Sequence, residues 1–461
     1  MPPFLLSSAP VRSLDAYLAT GVGGRGLEVA RRIGRSATID LITAAGLRGR
    51  GGGGFPTGKK WSGIASQRDS RRYLVCNGAE GEPGTFKDRA LMRANPYQLV
   101  EGLMIAAFAV EAAEVYICIK ASYETELERV TVAVQELQQA GICDDCTVNI
   151  VAGPDEYLFG EEKAMLEVIE GKSPLPRLFP PYEQGLFARS PELGWEATPV
   201  AVGARSDDPH PTLVNNVETM SNVPHILARG ADWFRSMGTA GSPGTVVCTV
   251  VGDVVAPDVG EVELGTALRD VIDAVSSGLP EGRTVKAVFS GVANAVVTGA
   301  DLDVPVSYEG LAAVGSGMGS AGFIVYDDTA CMVDAAYRFS RFLSIESCGQ
   351  CSPCKLGSAE ITQCLQRIET GAGTDRDLEI MRGWLPRVTD GSRCYLASEE
   401  RIVVSSILRA FPEEFADHIE HHRCPVDRQD PMPKLVDLAG GHATYDETFW
   451  RKRSDWTYDP E

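Results

Sequence analysis

Apolar and polar positions along this chain fall into short buried-type runs separated by longer helical stretches. The segment from Ile39 to Leu47 predicts a short helix, stopped by Gly46 and then by a glycine-rich loop. Arg72 to Cys76 (RYLVC) is almost wholly apolar and runs into the turn-rich stretch Asn77-Gly-Ala-Glu-Gly-Glu-Pro-Gly84, which predicts a buried strand ending in a loop. A helix is expected from about Pro96 to Val110, strands over Val115 to Lys120 and Thr147 to Val151, and a further helix over Gly160 to Gly171 that opens with Glu161 and Glu162. Helices alternating with strands in this way point to an α/β domain.

Ala188 to His210 is rich in Pro, Gly, Ser and charge and reads as an irregular insertion. A second unit starts near Gly244, with a strand over Thr245 to Val251, a helix over Leu264 to Val275 and more short strands, enough for a small α+β module. From Ala330 the pattern turns helical and carries a cluster of cysteines. The stretch from about Pro425 mixes Pro, Gly, aromatics and charge, and reads as an extended tail with little core of its own.

Composition narrows the class. A chain of 461 residues has room for two to four domains, and 44% hydrophobic residues is ordinary for a soluble globular protein. No segment approaches the unbroken apolar run of about 20 residues that a membrane helix needs. The start, MPPFLLSSAPVRSLDAYLAT, is too weakly apolar for a secretory signal. Lys and Arg total 43 against 63 Asp and Glu, a formal charge of -20 that opposes nucleic-acid binding. The 12 cysteines do not suggest a disulfide scaffold in a chain of this length without a secretion signal; reduced thiols in a cytoplasmic compartment fit better.

Two motifs carry the strongest chemistry. Cys348-Gly-Gln-Cys351-Ser-Pro-Cys354 spaces three thiolates to reach three corners of one iron–sulfur cube, and a distant cysteine must close the fourth. Cys394 and Cys364 compete for that role, although Cys364 lies in a helical stretch where a buried, inert thiol is ordinary. Zinc is the alternative metal, but it usually takes paired CxxC units. The second motif is Arg48-Gly-Arg50-Gly-Gly-Gly-Gly54-Phe-Pro-Thr-Gly58-Lys59-Lys60. Glycines without Cβ atoms let backbone N–H groups approach a phosphate, and lysine adds charge; the bland alternative is a flexible surface loop. Gly49, Gly51 and Gly54 satisfy GxGxxG, but the loop follows a helix where the dinucleotide fingerprint follows a strand. Gly53 to Lys59 satisfies GxxxxGK, yet Lys60 stands where Ser or Thr would hold magnesium, which excludes a nucleoside triphosphatase.

The remaining candidates are weaker taken singly. Asn77, Glu80 and Glu82 sit on a glycine-rich turn after a strand. Glu161 and Glu162 at a helix start are ordinary dipole partners, and Asn215 and Asn216 could simply cap a helix. Cys143-Asp-Asp-Cys146 is a lone CxxC without a thioredoxin-like context. His418, His421 and His422 could form a metal-binding helix face, but a solvated helix end is the plainer reading.

Taken together, RGRGGGGFPTGKKWS, NGAEGEPGT, GEEKAMLEVIEG, PTLVNNVET and ESCGQCSPC with Cys394 resemble the NADH-binding flavoprotein (51 kDa) subunit of respiratory complex I. They also resemble its relatives in NAD-dependent formate dehydrogenases and hydrogenase diaphorases. The match runs in order from about Leu41 to Ala410. The resemblance implies an α/β (α+β) multidomain chain. Its parts would be a Rossmann-like FMN- and NAD(H)-binding domain over 1–242 with the insertion at 188–210, a ubiquitin-like (β-grasp) domain over 243–327, a C-terminal helical bundle with a [4Fe–4S] cluster over 328–424, and a tail over 425–461. It implies FMN contacts at Gly49, Gly51, Gly52, Lys60, Asn77, Glu80, Gly160, Glu161, Asn215, Asn216 and Thr219, and NAD(H) contacts at Phe55, Glu82 and Glu162. It implies Cys348, Cys351, Cys354 and Cys394 as the cluster ligands, which decides against Cys364.

The chemistry is coherent. Hydride carries two electrons, an iron–sulfur cluster takes one, and a flavin can accept a pair and release it singly. No side chain needs to act as acid or base. The implied activity is that of a subunit moving electrons between NAD(H), FMN and the cluster, to or from partners. These would be a thioredoxin-like [2Fe–2S] subunit and a further redox subunit of a dehydrogenase, a hydrogenase or complex I. The expected setting is cytoplasmic, with any attachment to the inner face of the membrane made through those partners. The sequence departs from the family pattern at Ala79, where an acidic residue is usual, at Gly63, where an aromatic is usual, and at Phe179, where a basic residue is usual. These departures define the alternative, a non-catalytic electron-transfer or scaffold subunit that has lost dinucleotide binding.

Overall fold

The computed structural model describes residues 3–7, 9–67, 71–143, 146–188, 209–428 and 430–460. Most of the expected insertion, residues 189–208, lies outside the described residues. The chain divides into two compact units: Met1–Glu80, Asp88–Asp155 and Phe159–Thr245 in one, and Gly81–Lys87, Glu156–Leu158 and Val246–Glu461 in the other.

The first unit is built on a four-stranded parallel sheet. Its strands are β1 (Arg72–Gly78), β2 (Ala112–Lys120), β3 (Thr147–Gly153) and β4 (Thr212–Asn216), in the order β3-β2-β1-β4. β1 is buried along nearly its whole length, as a parallel strand covered on both faces must be, and this explains its unbroken apolar run. The helix Pro96–Val110 runs over the expected residues. The Asn95 side chain caps it, Pro96 occupies its first turn, and Glu111 ends it in the left-handed region at φ 57°. Gly102 on this helix packs against the helix Val217–Arg229; a Cβ there would lie 2.0 Å from the Met220 carbonyl oxygen, so only glycine permits the approach. The predicted 39–47 helix starts earlier, at Arg35–Ala45, and Gly46 stops it with φ 71°.

The second unit contains a five-stranded mixed sheet in the order β6-β5-β9-β7-β8. Here β5 is Thr245–Gly252, β6 Asp258–Glu263, β7 Val285–Ser290, β8 Val297–Thr298 and β9 Gly322–Asp327. β5 and β9 run parallel, and β7 is antiparallel to both β9 and β8. The helix expected over 264–275 begins later, at Leu268–Ser276, because Gly265 takes φ 97° and turns the chain first. Leu268, Val271 and Ile272 of that helix pack with Val246, Cys248 and Val250 of β5.

Five helices follow: Met332–Glu346, Ser352–Glu369, Asp375–Trp384, Leu396–Ala410 and Pro412–His421. The first two form an antiparallel hairpin. Cys331 Sγ lies 3.6 Å from Glu369 Oε2 at one end, Ser340 Oγ 2.8 Å from Thr362 Oγ1 midway, and Ser347 Oγ 3.4 Å from Cys354 Sγ at the other end.

The expectation of a tail with little core is corrected. β10 (Leu435–Ala439) and β11 (His442–Tyr445) form an antiparallel hairpin, and Met432 and Phe449 are buried. Lys452 makes a 2.8 Å ion pair with Glu346 in which both side chains are 1% exposed, and Trp456 Nε1 donates to the Ile345 carbonyl. Aromatic residues and a buried ion pair dock this segment on the end of the Met332–Glu346 helix, so it is part of the fold.

Candidate functional site: a glycine-loop sheet edge and a four-cysteine cavity

In the first unit the motif residues converge on the carboxyl ends of the strands. β1 is followed by β2 and β3 on one side, while β4 lies on its other side, so the chain order reverses between β1 and β4. Open parallel sheets bind ligands in the crevice at such a reversal. Asn77 at the end of β1 sits in register with Asn216 at the end of β4, and Cys76 with Asn215.

The glycine loop is closed on itself. Gly49 N–H donates to the Phe55 carbonyl at 2.9 Å, and Arg48 Nε donates to the Gly54 carbonyl at 2.8 Å. Gly52 and Gly54 hold φ 120° and 58°, conformations that side chains rarely adopt, and an added Cβ at Gly52 or Gly53 would meet open space. The loop is anchored from beneath. Thr219 Oγ1 accepts from Arg50 N–H at 2.9 Å, while the buried Arg50 guanidinium reaches the Pro243 and Thr245 carbonyls and Glu218.

The other candidates of this unit are fixed by bonds to their neighbours. Lys60, on the helix Thr57–Ala65, donates to Glu162 Oε1 at 2.5 Å and to the Val214 carbonyl at 2.7 Å. Trp61 Nε1 donates to Asn215 Oδ1 at 3.0 Å, and Asn77 Nδ2 donates to the Gly160 carbonyl at 2.7 Å. Asn216 Oδ1 caps the helix Val217–Arg229 by accepting from Glu218 N–H at 3.0 Å, and its Nδ2 donates to Asp88. Glu161 caps the helix Glu162–Ile169 by accepting from the N–H groups of Lys163 and Ala164, and burial pushes its carboxyl up to about 7. Glu80 accepts from Asp88 and Arg89 N–H, at the start of the helix Lys87–Ala94. Phe55 is 50% exposed, with Lys59 Nζ 5.8 Å from its ring centroid. Ala79 is buried among Tyr73, Phe159 and Val214, an apolar setting in which a carboxylate would be desolvated without a partner.

Glu82 belongs to the second unit. There its carboxylate accepts from Val292 N–H at 2.6 Å and from Tyr157 Oη, and burial raises its pKa. In the same unit Cys348, Cys351, Cys354 and Cys394 line one cavity, closed by the apolar side chains of Leu158, Leu396 and Ala397. Cys351 is the N-cap of the Ser352–Glu369 helix, and burial pushes the Cys354 thiol up to about 11. Cys364 lies further along that helix, fully buried, with its sulfur 3.1 Å from Arg367 Nη2. The donor set of the cavity, four thiols facing one space, fits a [4Fe–4S] cluster. The cradle of the glycine loop, open above Gly52 and Gly53, fits a phosphate-bearing flavin nucleotide.

Sequence reasoning missed three features. His418 is 1% exposed, whereas a solvated helix end was expected; only His421 and His422 meet that expectation. Cys331 and Cys424, which face His418, went unnoticed. Arg50, the buried anchor of the glycine loop, has no role assigned to it from the sequence.

A glycine cradle at a sheet reversal in one unit and a four-cysteine cavity in the other define a flavin- and iron–sulfur-bearing redox protein. The chain matches the Nuo51 FMN-binding domain over residues 42–225 and the NADH-ubiquinone oxidoreductase-F iron-sulfur binding region over residues 334–418. It is 39% identical over 398 residues to an NADH-quinone oxidoreductase subunit of Rhizobium meliloti (strain 1021), covering 84% of this chain and 90% of that one. It is 35% identical over 423 residues to the NADP-reducing hydrogenase subunit HndC of Solidesulfovibrio fructosivorans, covering 90% and 82%. Among solved structures it superposes on a chain of the NAD+-reducing [NiFe]-hydrogenase in the air-oxidized state with a TM-score of 0.75 at 31% identity, covering 92% of this chain and 70% of that chain. The chain belongs to the family of FMN- and [4Fe–4S]-binding, NADH-linked subunits of NADH-quinone oxidoreductases and NAD-reducing hydrogenases, and is an oxidoreductase subunit. Among the described residues no helix is long and apolar enough to cross a membrane.

Proposed function

We propose that this subunit exchanges hydride with NAD(H) at the glycine-loop edge and passes single electrons through the cysteine cavity. Its partners in this reading are a thioredoxin-like [2Fe–2S] subunit and a further redox subunit. The observation that carries the reading is the meeting of Asn77, Asn215, Asn216, Lys60 and the glycine loop at one reversal of a parallel sheet. When bound, FMN supplies conversion between a two-electron donor and a one-electron carrier, and the cluster supplies the one-electron outlet.

The chain's own residues then have separable tasks. Gly49, Gly51 and Gly52 present backbone to the phosphate. Asn77, Glu80, Gly160, Glu161, Asn215, Asn216 and Thr219 line and orient the flavin. Lys60 supplies positive charge beside it, and its bond to the Val214 carbonyl holds the ammonium in place. Phe55, which is half exposed, and Glu162 offer surface to the nicotinamide nucleotide. Cys348, Cys351, Cys354 and Cys394 hold the cluster. The mixed sheet with its packed helix supports assigning 243–327 as a β-grasp domain, and the helices after Ala330 support assigning 328–424 as the cluster-bearing bundle.

Anaerobically purified protein is expected to carry a flavin spectrum that bleaches on adding NADH. Flavin that stays oxidised under both NADH and NADPH would instead identify a non-catalytic electron-transfer subunit, with Ala79, Gly63 and Phe179 as its marks.

A further inference from the structure

The helix hairpin that presents the cysteine cavity at one end carries a second set of metal donors at the other. Cys331 is the N-cap of the Met332–Glu346 helix, Glu369 is the last residue of the Ser352–Glu369 helix, His418 lies on the Pro412–His421 helix, and Cys424 follows that helix. One ligand atom from each, four in all, lies within 4.8 Å of every other. His418 Nε2 is 3.4 Å from Cys331 Sγ and 3.3 Å from Glu369 Oε2, and Cys331 Sγ is 3.6 Å from that same oxygen. A tetrahedral ion with bonds of about 2.0–2.3 Å spaces its ligands about 3.3–3.8 Å apart, so Cys331, Glu369 and His418 already stand at ligand spacing, with Cys424 Sγ within 4.8 Å of each.

The surroundings are those of a built site. His418 Nδ1 is 2.7 Å from the Glu414 carbonyl, an arrangement that puts the ring proton on Nδ1 and aims the Nε2 lone pair at the other donors. Cys331 and His418 are buried, while Glu369 and Cys424 are half-buried, which leaves a path for an ion to enter. Gly371 takes φ 79°, and a Cβ there would lie 2.0 Å from the His422 carbonyl oxygen; its absence lets the chain leading to Cys424 cross over the end of the hairpin.

We propose that Cys331, Glu369, His418 and Cys424 bind a zinc ion. Two thiols, one imidazole and one carboxylate form a borderline-soft, four-coordinate set that suits Zn2+ and is wrong for the oxygen-only shells of Ca2+ or Mg2+. With four protein ligands the site is closed, hence structural. Zinc neither gains nor loses electrons, so it clamps the far end of the hairpin without competing with the redox centre. The two ends are separated by the length of a 15-residue helix, about 22 Å at 1.5 Å per residue.

The test is metal analysis of the intact protein, purified anaerobically with its flavin and iron in place. Wild type is expected to hold about one equivalent of zinc beyond its iron. Cys424→Ser and His418→Ala are expected to weaken zinc binding by more than the roughly 10–100-fold that loss of an outer-shell partner costs, while flavin and iron contents stay at wild-type levels. Cobalt introduced in place of zinc is expected to show thiolate-to-metal charge transfer that falls in Cys424→Ser; this readout on wild type decides the matter should the variants fold poorly. Wild type without zinc, zinc unchanged in both variants, a mononuclear iron in its place, or a Cys331–Cys424 disulfide found by thiol titration would each overturn the proposal.

Discussion

At the carboxyl edge of the parallel sheet, the residues assigned to the flavin also hold the fold together. Asn216 and Glu161 cap helices, Glu80 accepts from the first turn of another, Thr219 anchors the glycine loop, and Asn215 holds the buried Trp61. The cysteine cavity of the second unit is built differently. Cys348 and Cys351 are half-exposed, and the loop's structure is carried by its neighbours: Lys355 donates to the Ser344, Ser347 and Ser454 carbonyls, and Glu346 pairs with Lys452. On the proposed assignment, one centre merges binding with architecture, while the other leaves most of its architecture to residues outside the four-cysteine set. Substitutions at the first therefore damage stability and occupancy together, and substitutions at the second separate them.

The largest separation is expected at the cysteines. Cys394→Ser removes one of the four thiols of the cavity and is expected to abolish the paramagnetic signal of the reduced cluster while leaving the secondary structure seen by circular dichroism. Cys364→Ser, whose sulfur packs against Arg367, is expected to keep that signal. The reverse result would make Cys364 the ligand and remove the distinction between the two centres.

The complementary change strikes the scaffold and spares the thiols. Lys452→Met leaves Glu346 as a buried carboxylate without its cation, and both partners are 1% exposed. Breaking such a pair is expected to cost about 3–5 kcal/mol, read as a lower urea midpoint at unchanged slope, with loss of iron following unfolding and not preceding it. Iron released from a still-folded variant would mean that the ion pair supports the cluster directly.

At the sheet edge the same coupling is expected to appear as pH dependence. The Glu161 carboxyl is raised from 4.5 to about 7 by burial. Between those values the native apo-protein holds a proton that the unfolded chain has released, so stability is full below about 4.5 and declines as pH rises toward 7. The decline attributable to this group is at most roughly 3 kcal/mol, and Glu161→Gln is expected to flatten it, measured by urea unfolding across that range. A slope that survives the substitution would assign the titration elsewhere and leave Glu161 as an ordinary cap.

Legibility followed locality. The helix Pro96–Val110 was readable end to end because Asn95, Pro96 and the apolar run that follows specify it within one stretch. Gly46 and RYLVC were readable for the same reason. The cysteine motif was readable because three of its four ligands sit within seven residues of one another. The docked tail was not, because Phe449, Lys452 and Trp456 find their partners on a helix about a hundred residues earlier. His418 looked solvated because its neighbours His421 and His422 are; which side of its helix meets Cys331 and Glu369 is decided only by packing. Ala79 looked like a lost binding group, and its apolar surroundings give a packing reason for the exchange. The helix at Leu268 was placed four residues too early because the apolar rhythm passes over Gly265 without registering the turn.

Gly63 offers the smallest and most pointed check on the merger of binding with architecture. It lies inside the helix Thr57–Ala65, three residues from Lys60, yet it is exposed, and an added Cβ would meet nothing within 4 Å. By position it belongs to the binding segment; by surroundings it has no structural task. Glycine in an exposed helix interior gives up about 0.5–1 kcal/mol relative to alanine, through the backbone freedom lost on folding. Gly63→Ala is therefore expected to raise stability by about that amount, with flavin content and the KM for NADH unchanged. A raised KM would show that the bare backbone at Gly63 is itself part of the dinucleotide surface, so that even this position joins the pattern set by Asn216 and Glu161.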